Sequence, residues 1–533
     1  MTGSRQERSS TSPRLRGRRR WEVITLAAVV TLLLGTGGPS SCVQVLSSPP
    51  DSVSGDDARV SVWLPFFAPI HKVEIRVNGQ DVTDSFAPAG NPGQLEGVVT
   101  DLVLGDNLLE VGLSHRGSFF PVEELVLTNY AVSGPIFSGP QQEVFVCSDD
   151  GDRANAELGP AIDEDCAVET VVSFKYRTTG GTWADYDPNA PPPADLAQTT
   201  TMDGDTVDYI VRWERGTINR FIYSIAVLSP QEQDEATPEL SAWNKRLIYY
   251  FQGGVAIGHY QGDPSRSRML YDHGLGLGYA VIYSTGTKTG THYNLELGGE
   301  TAIMVKDRFV SAYGNPDYTV GVGGSGGGIQ QYVYGQNHKG LIDAGVPQRS
   351  YPDMITQTIH TGDCELLERW IDTQVFAGNP KWFDWENRTE LEGMNALNGF
   401  DNDFLALLPP GVPQGSSECV NGWRGLAPLV LNPLFGTAPG ISLPDQLSTE
   451  WTHFGDAVNI YGVAADGFAA STWDNVGVQY GLDALLSGFL TPDDFLDLNA
   501  QVGSWKNEPD AVQEGCPYSF SACFTDVSGL PPF

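Results

Sequence analysis

The sequence predicts an α/β fold, a doubly wound sheet with a helical cap, preceded by a small all-β domain. Three observations carry this reading. Residues 44–131 hold short period-two runs separated by tight-turn signals. From about residue 245, apolar strand-like runs alternate with helix-like ones, as a parallel sheet with crossover helices requires. Within that alternation Gly323-Gly324-Ser325-Gly326-Gly327 sets a serine between the β-branched run Tyr318–Val322 and a run with helical spacing over 328–337.

The chain begins with a targeting signal. Its first twenty residues hold seven arginines and one acid, and Val23 to Leu34 is an apolar run too short to span a bilayer comfortably. Residues 1–41 are expected to be a signal peptide, which places the protein outside the cytoplasm, secreted or in the cell envelope. Pro39-Ser40-Ser41-Cys42 loosely resembles a lipoprotein cleavage box, with proline where leucine is usual, so Cys42 is a candidate lipid anchor. Ordinary cleavage nearby and an uncleaved anchor are the alternatives. The formal charge is −35, and removing the signal makes it more negative. Such a surface repels nucleic acid and anionic membranes, so no nucleic-acid partner is expected.

Setting Cys42 aside leaves six cysteines, an even set suited to an oxidising compartment. The favoured pairs are Cys147–Cys166, Cys364–Cys419 and Cys516–Cys523, out of fifteen connectivities. No Cys-x-x-Cys or His-x-x-x-His spacing supports a metal site, and neither metal nor cofactor is expected.

Residues 44–131 read as a β-sandwich. Arg59–Trp63 and Val73–Val77 alternate, Asn78-Gly79 marks a tight turn, and 102–111 supplies a second turn between strands. The segment resembles bacterial immunoglobulin-like modules that precede secreted enzymes, which implies a spacer. Residues 132–349 are expected to form the hydrolase core. Strands are expected at 144–147, 171–176, 207–213 and 221–227, with a loop at 188–193. The Asp149, Asp150 and Asp152 cluster lacks the ligand spacing of a calcium loop and reads as a solvated acidic loop. Next come a strand at 246–251, another at 279–283, a helix over 301–313, the serine motif and a strand at 340–346.

A serine flanked by glycines at such a turn takes a strained backbone that lifts its hydroxyl above the sheet, at the positive end of the following helix. This is the nucleophile elbow of an α/β-hydrolase, and it makes Ser325 the candidate nucleophile. The oxyanion hole is expected from the Gly326 amide and from Gly253 and Gly254, which follow the strand at 246–251. Gly321, Gly323 and Gly326 also spell a dinucleotide-binding pattern, with Asp343 near the ribose-binding position. The motif's depth in the chain and the export signal argue against that reading. A structural glycine turn is the third alternative.

Residues 350–475 interrupt the alternation and hold half of the 12 tryptophans, as a cap over an active site would. Residues 476–533 read as two helices and a cysteine-containing tail. A base must follow the serine in chain order. His338 ends the elbow helix and reads as structural, leaving His453 ahead of His360 as the candidate base. The last two strands of the fold are not visible, so the core is expected to be incomplete.

Gly323 to Tyr332, the Asp363-Cys-Glu-Leu-Leu-Glu-Arg-Trp run and the Asp474-Asn-Val-Gly-Val-Gln-Tyr-Gly-Leu run resemble a secreted bacterial family classed as a domain of unknown function. That family is related in outline to tannase- and feruloyl-esterase-like hydrolases. The resemblance covers 45–510, and members usually continue beyond this length. It implies an acid and a base in the absent part, and makes a separate C-terminal polypeptide a candidate partner. Tannase relatives place a cysteine beside the nucleophile; Gly324 stands there here, so tannin-specific chemistry is not implied. The expected function is an exported serine hydrolase acting on a small-molecule or polymeric carboxylic ester. The alternative is a truncated, inactive relative that serves as a secreted or surface binding protein.

Overall fold

The computed structural model describes residues 42–64, 70–231, 234–256, 258–350, 354–393, 396–398 and 415–417. It also describes 442–504 except for 443, 446–447, 466, 468–469 and 471–473. The chain divides into two compact units. One comprises Met1–Ile136 with Ile303–Pro316, and the other Phe137–Ala302 with Asp317–Phe533.

The first unit is built from alternation. In Val73–Val77 the three apolar residues are buried and Glu74 and Arg76 are not, as a strand with one wet face requires. Asn78 and Gly79 take φ of 51° and 81°, the paired positive values of a two-residue hairpin turn. Two sheets result. Val43–Val45, Ala58–Trp63, Gln94–Val99 and Phe86–Pro88 lie side by side in that order. Val53–Ser54, Ser118–Tyr130, Gly105–His115, Val73–Val77 and Gln80–Asp81 form the other sheet. One core, with Val60, Ile75, Leu109 and Leu127 at its centre, serves both. Cys42 packs against that core, and its amide donates to Glu123 at 2.9 Å. Also within this unit, buried Asp307 accepts from the Ser54 amide at 3.0 Å, and burial pushes its carboxyl up to about 7.

The second unit holds an eight-stranded mixed sheet. Its strands are β1 (Val171–Arg177), β2 (Trp183–Asp185), β3 (Ile210–Ile218), β4 (Phe221–Leu228), β5 (Arg246–Gln252), β6 (Ala280–Lys288), β7 (Tyr318–Gly324) and β8 (Ala344–Gln348). They lie in the order β2-β1-β3-β4-β6-β5-β7-β8. The half from β2 to β6 pairs antiparallel, whereas β6, β5, β7 and β8 run parallel. Residues 247–251 of β5 are buried without a break, because a central parallel strand is covered on both faces.

Helix α1 (Leu295–Tyr313) links β6 to β7, and α2 (Gly326–Asn337) follows β7. The sequence places the start of α1 at 301. It begins at 295 because Asn294 caps it, accepting from the amides of Glu296 and Leu297 at 3.1 and 3.2 Å. Residues 144–147, expected as a strand, form only an isolated bridge from Val146 to Tyr260, with Cys147 bound to Cys166. The last strand begins at 344, not 340. The aspartate cluster is a helix start: Asp149 caps Asp150–Asn155 by accepting from the Asp152 amide at 2.9 Å.

Beyond β8 lies α3 (Met354–Phe376), and further on α4 (His453–Tyr461), α5 (Leu482–Leu486) and α6 (Pro492–Gln501). One apolar cluster joins Leu366, Trp370 and Trp382 to Tyr480, Ala484 and Leu498, so α3 and the C-terminal helices share a core. Trp370 and Trp382 meet edge to face at 5.5 Å in that core. Cys364 is disulfide-bonded; Cys419, Cys516 and Cys523 lie outside the described residues. The apolar run at 427–431 lies outside them too.

Candidate active site

Strand β7 delivers Ser325 to its C-terminal end, and the backbone there is strained. Ser325 has φ 57° and ψ −124°, a conformation that costs an L-residue on the order of 1–3 kcal/mol. A serine at a helix start ordinarily bonds the second or third amide of its own helix. Ser325 makes no such bond, so its hydroxyl is not spent on capping α2.

Neighbouring backbone holds the turn from two sides. The Ser325 amide donates to the Gln348 carbonyl at the end of β8, at 3.0 Å, and the Gly328 amide closes on the Ser325 carbonyl at 2.7 Å. On the other side stands β5. A Cβ on Gly323 would lie 2.0 Å from the Phe251 carbonyl oxygen, and one on Gly327 2.5 Å from it. The glycines are there because another strand's main chain occupies the space.

The loop after β5 comes equally close to the turn. A Cβ on Gly253 would stand 2.6 Å from the Gly324 oxygen and 3.2 Å from the Gly326 nitrogen. Gly254 has φ 116° and packs on Gly290. Gly253 therefore lies against Ser325 and Gly326, with Gly254 next to it in the loop and set against Gly290, and the first amides of α2 have no acceptor within their own helix. Thr289, which sequence reasoning missed, fastens this loop. Its amide donates to the Gln252 carbonyl at 3.0 Å and its hydroxyl to the Gly254 carbonyl at 2.6 Å. Two further residues were missed, Gln330 and Gln331. Gln331 Nε2 donates to the Gly327 and Gly323 carbonyls at 2.8 and 3.2 Å, and Gln330 Nε2 reaches the Gln252 carbonyl at 3.3 Å. Two glutamines buried side by side on a helix were the available signal.

Other sequence candidates fall away from the turn. Asp343 accepts from the Thr319 amide at 2.8 Å, at the start of β7 and the opposite end from Ser325. It is a strand clamp, which removes the acid that the dinucleotide reading needs. His338 caps the end of α2 and packs on Tyr334. His360 lies within α3 and His453 opens α4. Ala457 and Val458 of α4 pack with Ile329 and Val333 of α2, which lays the helix bearing His453 against the elbow helix. The side chains of His360 and His453 lie outside the described residues. Among the described residues, no group of three or more His, Cys, Asp or Glu is placed to hold a metal ion.

The profile of one family matches residues 43–519. The chain belongs to the tannase-like family of unknown function (DUF6351). This tannase-like chain also has distant likenesses among solved structures. An esterase from Aspergillus oryzae is 12% identical, with 62% of this chain and 65% of that one covered and a TM-score of 0.24. Ferric enterobactin esterase from Salmonella typhimurium is 12% identical over 64% of this chain and 82% of its own, with a TM-score of 0.16. A post-proline cleaving enzyme from Rickettsia typhi is 9% identical over 60% and 37%, with a TM-score of 0.19. The chain thus spans about two thirds of the Aspergillus protein's length. Likenesses this remote carry no argument about the tannase-like chain. No curated protein matches it.

Proposed function

We propose that this protein is a serine hydrolase of the α/β-hydrolase type that cleaves carboxylic esters, with Ser325 as nucleophile. The observation that carries the reading is the strained turn whose hydroxyl is withheld from its own helix. Ser325 Oγ attacks the ester carbonyl while its proton passes to the base, for which His453 on α4 is the candidate. Negative charge collects on the carbonyl oxygen, and the Gly326 amide with those of Gly253 and Gly254 receives it. Collapse expels the alcohol, which takes the proton from the base. Water, deprotonated by the same base, then hydrolyses the acyl-serine and returns the proton to Oγ.

The rest of the reading concerns setting. The arginine-rich, then apolar, start of the chain supports export to the cell envelope or medium, with Cys42 as a candidate lipid anchor. The first unit, two sheets over one core, resembles an immunoglobulin-like module and would serve as a spacer. A small-molecule or polymeric ester is the expected substrate.

Binding without catalysis is the second reading. A fluorophosphonate probe on the purified chain, beside Ser325→Ala, separates the two. Labelling lost in the variant means an activated serine; no labelling of folded protein means a binding protein.

A further inference from the structure

The turn at Ser325 is bounded by β5 on one side and by β8 on the other. On the β5 side a Cβ placed on Gly253 would lie 3.0 Å from that of Ser325. On the β8 side the Gln348 carbonyl accepts from the Ser325 amide at 3.0 Å. The next residue is Arg349. Only the carbonyl and one peptide bond separate its Cα from that hydrogen bond, so the Cα is at most ~7 Å from the Ser325 nitrogen.

Arg349 is held in an uncommon conformation. Its φ is 44°, in the left-handed region that glycine adopts freely and L-residues avoid. Asn and Asp offset that cost with a short side chain that bonds nearby backbone, which arginine does not have. The flanking residues fix it there. Gln348 is tied through its carbonyl, and the Ser350 hydroxyl accepts from the hydroxyl of Tyr332, on α2, at 2.9 Å. Ser350 also lies against α2 itself, where a Cβ on Gly328 would stand 3.1 Å from it. Strained residues that their surroundings hold in place cluster at active sites and ligand clamps.

The side chain is unspent. Arg349 is exposed, and among the described residues no carboxylate or carbonyl engages its guanidinium. That stands out in a chain with 66 acids against 31 Lys and Arg. Lys288, which ends β6 at the same edge of the sheet, gives the contrast: its ammonium is paired with Asp263. A guanidinium presents its donors as a planar fork that matches a carboxylate. The direction of attack says which part of a substrate meets it. With the carbonyl oxygen turned to the amides on the β5 side, a substituent of the carbonyl carbon leads away towards β8.

We propose that Arg349 is a specificity-determining residue, and that the ester it selects carries a carboxylate. The proposal rests on the Ser325 reading. A net charge of −35 opposes an anion at long range, so the selection is made by contact beside the turn and not by steering.

The test uses a matched pair of esters, monomethyl adipate and methyl hexanoate, in which a carboxylate stands where the other has a methyl group. Methanol release by the unsubstituted full chain should show the adipate ester to be a substrate. Arg349→Gln should lower kcat/KM for it about tenfold more than for methyl hexanoate, the effect of losing one charged hydrogen bond. Arg349→Lys keeps the charge without the fork and should recover part of that difference. The proposal is overturned if methyl hexanoate is cleaved and the adipate ester is not, or if Arg349→Gln changes both esters alike. Binding is read without turnover by saturation-transfer NMR on the chain carrying Ser325→Ala. There, adding Arg349→Gln should weaken the adipate ester selectively, and an unchanged affinity overturns the proposal. Fluorophosphonate labelling of the unsubstituted chain reads the nucleophile alone. Its absence strikes at Ser325, whereas a labelled protein in which Arg349→Gln does not separate the two esters strikes at Arg349.

Discussion

The two compact units fix their interiors by different means. In the first, side chains do the fixing: Ile75 and Leu127 alternate with wetter neighbours and, with Val60, fill one core between two sheets. In the second, the decisive contacts around Ser325 are made by main chain. Phe251 and Gln252 of β5 press against Gly323, Gly327 and the turn itself, leaving no room for a Cβ. A side-chain core can shift to absorb a lost methyl group. A backbone wedged between two strands has nothing to move. Tolerance and function are thereby separated within one chain.

The sharpest way to break this comparison is to add or remove one carbon in each unit. Gly323→Ala drives a methyl to 2.0 Å from a strand carbonyl and should destabilise the second unit by at least about 3 kcal/mol. Ile75→Val, in the first core, should cost about 1 kcal/mol. Hydrogen exchange followed peptide by peptide is the readout. Protection lost across β5, β7 and α2 in the glycine variant, with little change in either sheet of the first unit in the valine variant, is the expected pattern. Equal effects would end the distinction.

A smaller but catalytic contrast lies within the second unit. Ser325 is held by backbone on two sides, whereas the helix bearing His453 is held by apolar packing around Ile329 and Ala457. His453→Ala should slow ester turnover about 10²–10⁴-fold, the usual worth of a general base, while His360→Ala leaves it near the parent rate. A reversed order would transfer the role to α3. Thr289→Val should do less. It removes the hydroxyl's grip on the Gly254 carbonyl and should lower kcat about two- to tenfold, with KM little changed. An effect on KM alone would make Thr289 a substrate contact instead of a support for the oxyanion loop.

The same division explains what the sequence made legible. Alternation in Val73–Val77 and the Asn78-Gly79 turn are local signals, and both stand in the fold as read. The glycine-serine motif was legible because the strain of the turn and the approach of β5 both demand glycine at neighbouring positions. Thr289 was not, because its role depends on a loop 35 residues away in sequence. The strand expected at 144–147 failed for a related reason: its apolar residues find one bridge partner and a disulfide, with no neighbouring strand to complete a ladder. Asp149 was read as solvated because capping is visible only once the helix start is fixed. The base remains the least legible part of the site. Chain order narrows it to three histidines, and no local signal sets any of them beside Ser325.

The mildest test uses acid, to which the units should respond with opposite sign. Burial raises the Asp307 carboxyl of the first unit to about 7, above its ordinary value of 3.8. The folded state then holds a proton that the unfolded chain has lost. That contribution is fully present below about pH 4 and disappears as pH rises through 7. His292 in the second unit runs the other way. Burial lowers its imidazole from 6.5 to about 4, so the unfolded chain takes up a proton first. Its contribution is present above about 6.5 and is lost as pH falls through 4. Between pH 7 and 4, then, exchange protection should rise in the peptides around Ser54 and 303–316 and fall around 288–294. Asp307→Asn should flatten the first trend and His292→Phe the second, each leaving the other in place. If both trends vanish together in either variant, the two units do not hold their stabilities separately, and the contrast drawn from their cores fails with them.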